Sequence, residues 1–106
     1  YDLVVIGSGP GGQRAAIQAA KLRKRVLLVE KYKLGGSSVH WGTIPSKTLK
    51  EATLRPNATW PQAIKEAQRV SKRETEIVQA QLKRNGIQFF SGKGFFIDAH
   101  TLACDF

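Results

Sequence analysis

Three glycines, Gly7, Gly9 and Gly12, stand in G-x-G-x-x-G spacing within the stretch GSGPGG. The stretch directly follows the apolar run YDLVVI and opens a helical pattern, the context in which this spacing has a physical meaning. Gly7 permits a sharp turn, Gly9 lets backbone approach a pyrophosphate, and Gly12 lets the helix lie close on the strand. Free N–H groups and a partial positive charge at the helix start then face the phosphate. Glu30 follows Gly12 by 18 residues, at the end of the next apolar run. A carboxylate there accepts hydrogen bonds from both ribose hydroxyls and repels a 2′-phosphate, so the adenosine expected is not that of NADP. FAD and NAD share this fingerprint, and it leaves the choice between them open. A second glycine-rich stretch, GGSSVHWGTIPSK from Gly35 to Lys47, places hydroxyls, an imidazole and an ammonium close together.

These residues need elements to hold them. The continuous run Leu3–Ile6 and the later RVLLVEK read as parallel strands buried on both faces, and the alanine-rich segment over 11–23 reads as a helix lying close on them. Together they make a βαβ unit with a right-handed crossover. Arg23 occupies the place before the second strand where glycine is usual, which predicts a strained turn. PSKTLKEATL reads as a short helix over 45–54, with Pro45 in its first turn where the missing N–H costs nothing. Pro56 and Pro61 bracket a loop, whose Asn57-Ala58-Thr59 sequon is read as loop composition. A long helix over 62–85 carries Ile64, Ala67, Val70, Ile77, Val78 and Leu82 at helical spacing and stops at Asn85-Gly86. The last 20 residues alternate apolar clusters with turn residues, as two or three short strands with a turn around 98–100. The fold class expected is α/β: a Rossmann-like, three-layer nucleotide-binding domain with a small antiparallel strand region.

Composition narrows the function classes. With 106 residues, 42% of them apolar, the chain fits one small domain. No apolar run approaches the roughly 20 residues of a membrane span. The net charge of +9 invites a nucleic-acid partner, but the positives are spread out, mixed with Glu, and lack the aromatic interleaving of single-strand binders. Nucleic acid is therefore not the partner read here. Cys104 is the one cysteine, without an internal disulfide partner, which fits a reducing cytoplasm. No metal site is read. Because the first strand begins almost at Tyr1, the sequence reads as an excised or processed segment.

Taken together, YDLVVIGSGPGG, VLLVEK, LGGSSVHWGTIPSK and GKGFFIDAHTL resemble the pyridine nucleotide-disulfide oxidoreductase family of flavoproteins over essentially the whole chain. The resemblance implies FAD rather than NAD at the first fingerprint, and makes residues 1–106 the N-terminal part of an FAD-binding domain. It implies that Gly7, Ser8, Gly9, Pro10, Gly11 and Gly12 cradle the pyrophosphate, that Glu30 binds ribose, and that Lys31 lies near adenine. Gly36 and Ser37 would line the second phosphate side; Gly42, Thr43 and Lys47 would lie near the isoalloxazine, and Gly94 would offer backbone hydrogen bonds to adenine. Lys47 and Thr43 are the catalytic candidates, Lys47 because an ammonium beside the flavin stabilises the charge that arrives with hydride.

Redox-active members of the family carry a Cys-x4-Cys pair where this chain has Ser38 and Thr43. A hydroxyl forms no thiolate and no reversible disulfide, so dithiol chemistry is excluded there. HWGTIPSK, with Thr at the second of these positions, is most similar to the family's soluble transhydrogenase branch, which passes hydride between NADPH and NAD+ through FAD. Ser38 departs from that branch, where a Cys is kept. Trp41 is expected to pack against the flavin domain, His40 to be structural rather than a proton donor, and Cys104 to be a small buried side chain.

The resemblance also implies that an NAD(P) domain and a dimerisation domain lie outside this chain, with a homodimer as the full-length form. An alternative reading is a non-catalytic nucleotide-binding or interaction fragment that kept the fold and lost both cysteines.

Overall fold

A computed structural model describes residues 1–105. Three parallel strands, β1 (Leu3–Ile6), β2 (Val26–Glu30) and β3 (Gln88–Ser91), form a sheet in the order β1-β2-β3. The register pairs Val5 with Leu28 and Ile6 with Val29 on one side, and Leu28 with Phe89 on the other. β2, the central strand, is buried at all five positions, whereas β1 is largely half-buried.

Alternation along the strands sorts side chains to two faces. Val5 and Leu28 join Ala16 of helix α1 (Pro10–Lys21) and Val78 and Leu82 of helix α4 (Trp60–Arg84) in one core. Ile6 and Val29 point the other way, where each comes within van der Waals reach of a Cβ built on Gly94. Gly94 belongs to β4 (Lys93–Asp98), which pairs antiparallel with β5 (Thr101–Asp105). The expected three layers are thus helices, parallel sheet and a two-stranded ribbon.

Helix α1 starts at Gly9, with Pro10 as its first residue, and ends in a Schellman motif. The Arg23 and Lys24 amides donate to Ala20 O and Ala19 O, which places Arg23 in the left-handed position at φ 61°. The strained turn predicted there is present. Helix α4 ends the same way: Gly86 N and Ile87 N donate to Lys83 O and Leu82 O, and here glycine fills the left-handed position at φ 69°. Ile87 and Leu82 meet in the core, completing the motif.

Between β2 and α4 the chain departs from expectation. Residues 37–40 form a one-turn helix, α2 (Ser37–His40), instead of loop, and α3 (Thr43–Thr53) begins two residues before the predicted start. α4 also begins earlier, because Thr59 caps it by accepting from Gln62 N, and Pro61 sits inside its first turn rather than bounding a loop. Ile77, expected on its apolar face, is exposed.

Candidate functional site

Glu30 ends the central strand, only 7% exposed, and its carboxylate is held by the loop that follows β1. Its Oε2 accepts from Ser8 N at 2.9 Å and from Ser8 Oγ at 2.6 Å, and its Oε1 accepts from Tyr32 N at 2.9 Å. Burial alone would push this carboxyl up. The Ser8 hydroxyl and the Tyr32, Ser8 and Lys31 amides outweigh burial and hold it below its ordinary value, ionised at neutral pH. Gly92 N donates to Glu30 O at 2.8 Å, so the backbone is tied on the β3 side as well.

The two glycine-rich stretches come together above this carboxylate. A Cβ on Gly36, which has φ 76°, would lie 2.6 Å from Gly9 Cα, so the two backbones touch. A Cβ on Gly12 would lie 2.1 Å from Gly7 O, the close helix-on-strand packing that the sequence implied. Gly9 and Gly11 are different. A Cβ on either would meet no atom of the chain within 4 Å, so nothing in the protein's own packing demands glycine there. At Gly9, which also borders open space beside Glu30, a Cβ would narrow the room over the start of α1. This open cradle at a helix N-terminus, beside an ionised carboxylate at a strand end, fits the pyrophosphate and ribose of a dinucleotide.

A cleft of about 1280 Å³ opens from the cradle. Gly7, Ser8, Gly9, Glu30, Lys31, Gly36 and Ser37, all expected site residues, line it. Pro10, Gly11 and Gly12 form the helix start rather than its wall. Gly42, Thr43, Lys47 and Gly94 are not part of the wall either. Thr43 and Lys47, four residues apart, share the exposed side of α3, whereas Pro45 and Leu49 turn into the cleft. Thr43 adopts φ 25°, a strained value for a β-branched residue. Gly94 lies behind the sheet against Ile6 and Val29.

The far wall was not foreseen. It consists of one side of α4, including Gln68, Ser71, Lys72 and Thr75, a polar stripe whose spacing of three and four residues was present in the sequence. His40 also lines the cleft, and Trp41, expected to pack, stands 78% exposed at its rim. Cys104 is half-buried rather than buried. Among the described residues, no group of three or more His, Cys, Asp or Glu is placed to hold a metal, and no helix is long and apolar enough to cross a membrane.

Residues 1–105 match the family described as pyridine nucleotide-disulphide oxidoreductase. The chain belongs to that family. Among curated relatives, it is 44% identical to the soluble pyridine nucleotide transhydrogenase of Mycobacterium bovis, over 96% of this chain and 26% of that protein. It is 37% identical to the soluble pyridine nucleotide transhydrogenase of Serratia proteamaculans, over all of this chain and 26% of the relative. Among solved structures, the HOCl-induced flavoprotein disulfide reductase RclA from Escherichia coli superposes with a TM-score of 0.89 at 30% identity, over 98% of this chain and 24% of that one. The chain spans about a quarter of the length of these relatives.

Proposed function

We propose that this chain is the nucleotide-cradling part of an FAD domain, in a protein that passes hydride between NADPH and NAD+ without a redox-active disulfide. The observation that carries the reading is the open backbone at Gly9, on the wall of the cleft, beside the ionised Glu30. When bound, the flavin supplies a reversible two-electron acceptor between the two nicotinamides.

The chain's own residues then bind and tune. The first N–H groups of α1, at Gly11 and Gly12, lack partners within the helix and face the pyrophosphate, with Gly7, Ser8, Gly9 and Pro10 shaping the turn before them. Glu30 Oε1 has a second lone pair beside the one taken by Tyr32 N–H, and this accepts a ribose hydroxyl. Lys31 lies toward the adenine and Gly36 and Ser37 continue the phosphate wall. Gly94 offers its backbone to the adenine. Gly42, Thr43 and Lys47 serve the isoalloxazine end, where the Lys47 ammonium offsets the negative charge that arrives with hydride. Ser38 and Thr43 form no thiolate, which leaves hydride exchange between nicotinamides through the flavin, without a dithiol relay, as the chemistry consistent with this sequence. The names of the mycobacterial and Serratia relatives support the same reading. Cytoplasmic location and a homodimeric full-length form belong to this proposal.

The test is the visible spectrum of the purified protein together with an assay for hydride transfer from NADPH to an NAD+ analogue. Yellow flavin absorbance and turnover that survives a thiol-alkylating reagent are expected. A colourless protein that cannot be reconstituted with FAD would refute the proposal.

A further inference from the structure

The peptide between Leu34 and Gly35 is gripped on both sides. Its N–H, at Gly35, donates to Ser8 Oγ at 3.1 Å, in a buried contact. Its carbonyl, Leu34 O, lies 2.6 Å from His40 Nε2 and 3.3 Å from Thr75 Oγ1. The three side chains come from three places: the loop after β1, helix α2 and helix α4. Thr75 is itself anchored, 3.0 Å from Ser71 O and 3.3 Å from His40 Nε2, and Ser71 Oγ donates to Val39 O at 2.8 Å.

Proton accounting assigns the roles. A carbonyl oxygen only accepts, so the His40 Nε2 that faces it carries a proton. Ser8 has one hydroxyl proton, and the Glu30 carboxylate at 2.6 Å takes it. The Gly35 amide therefore meets a Ser8 lone pair, and the hydroxyl, 0% exposed, has no proton left for a phosphate. The Ser8 hydroxyl is thus spent on Glu30 and Gly35 inside the protein, although the residue borders the cleft. The peptide it grips feeds directly into Gly35 at φ 114° and Gly36 at φ 76°, the residues that bring the second loop against Gly9.

We propose that Ser8 and His40 are positioning residues, which clamp the Leu34–Gly35 peptide from opposite sides and thereby set Gly36 against Gly9 as one wall for an adenosine diphosphate moiety. The inference rests on the proposed dinucleotide site and assigns it two side chains that act through backbone rather than by touching the ligand. His40 donates a hydrogen bond and transfers no proton.

Glutamine places its amide nitrogen where Nε2 of histidine stands, and asparagine places it nearer Nδ1. His40→Gln should therefore keep the clamp and His40→Asn should lose it. In the purified protein, Ser8→Ala and His40→Asn are each expected to weaken FAD and ADP binding about tenfold, the scale of one lost backbone hydrogen bond, and His40→Gln by less than about threefold. In ligand-free protein, hydrogen exchange at the Gly35 amide should speed up about tenfold in Ser8→Ala. The ¹⁵N spectrum of the unsubstituted protein should show a proton on His40 Nε2, a readout that needs no variant to fold. Equal behaviour of the Gln and Asn variants, unchanged Gly35 exchange in Ser8→Ala, or a His40 Nε2 without a proton would overturn the clamp. If the protein binds ADP but not FAD, the proposed function falls while these outcomes still decide the clamp.

Discussion

Replacing Glu30 by Gln removes one charge and keeps the shape. The remaining carbonyl oxygen can take the place of Oε2 and accept from Ser8 N and Ser8 Oγ, but the new NH2 then faces Tyr32 N–H, donor against donor. One charge-assisted bond is worth about 1.5–3 kcal/mol, and a buried amide left unpaired costs about 1–3 kcal/mol. Glu30 borders the cleft, so water can reach part of the group and offset some of that loss. The expected destabilisation is about 2–3 kcal/mol near neutral pH, read by urea unfolding. The pH dependence carries the sharper test. The carboxyl is held below its ordinary value of 4.5, so its contribution is complete above that value and is lost as pH falls through the folded-state value. The gap between the two proteins should narrow on acidification below about pH 4.5. Asp2, Glu66 and Asp98 are lowered too, but they remain in both proteins and cancel in the comparison. A gap under about 0.5 kcal/mol, or one that does not change with pH, would refute the picture of an internally bonded carboxylate.

The glycines should separate by role. Gly12→Ala is expected to destabilise the chain by several kcal/mol whatever is bound, because its Cβ would collide with Gly7 O, and thermal unfolding without ligand measures this. Gly11→Ala has open space and a helical backbone, so it should stabilise the ligand-free chain by about 0.5–1 kcal/mol in the same assay. Arg23→Gly relieves a left-handed residue, and after the opposing entropy of a freer unfolded chain it should still add about 0.5–1 kcal/mol of stability by urea unfolding. Lys47→Ala should slow flavin reduction in stopped-flow measurements more than it weakens FAD binding, and equal reduction rates would make the lysine a bystander.

Much of this was legible in the sequence, for identifiable reasons. β2 and Glu30 could be placed because a strand buried on both faces leaves an unbroken apolar run that stops at its first charge. Arg23 could be called strained because a Schellman motif needs a left-handed residue whatever the sequence supplies. Helix starts were less legible: a Thr59 cap and a Pro61 in the first turn look, in one dimension, like a loop flanked by prolines. The clamp was hidden because Ser8 lies 27 residues from the peptide it holds and both side chains bind backbone, which carries no sequence signal. Polar residues at 68, 71, 72 and 75 were a readable signal, since a helix side that turns polar toward the protein has something to bond.

The central strand has a temporal meaning. β1 can pair with β2 as soon as α1 closes the short crossover, but β3 reaches the other edge only after residues 31–87 have been made and folded over the sheet. Glu30 is thus tied to Ser8 early and to Gly92 late. Contacts of such long sequence separation form last because their loop entropy must be overcome first. During synthesis, then, the main-chain carbonyl of Glu30 gains its partner only after Gly92 has left the ribosome, and a chain stalled before that point would hold the first glycine loop on a half-built sheet.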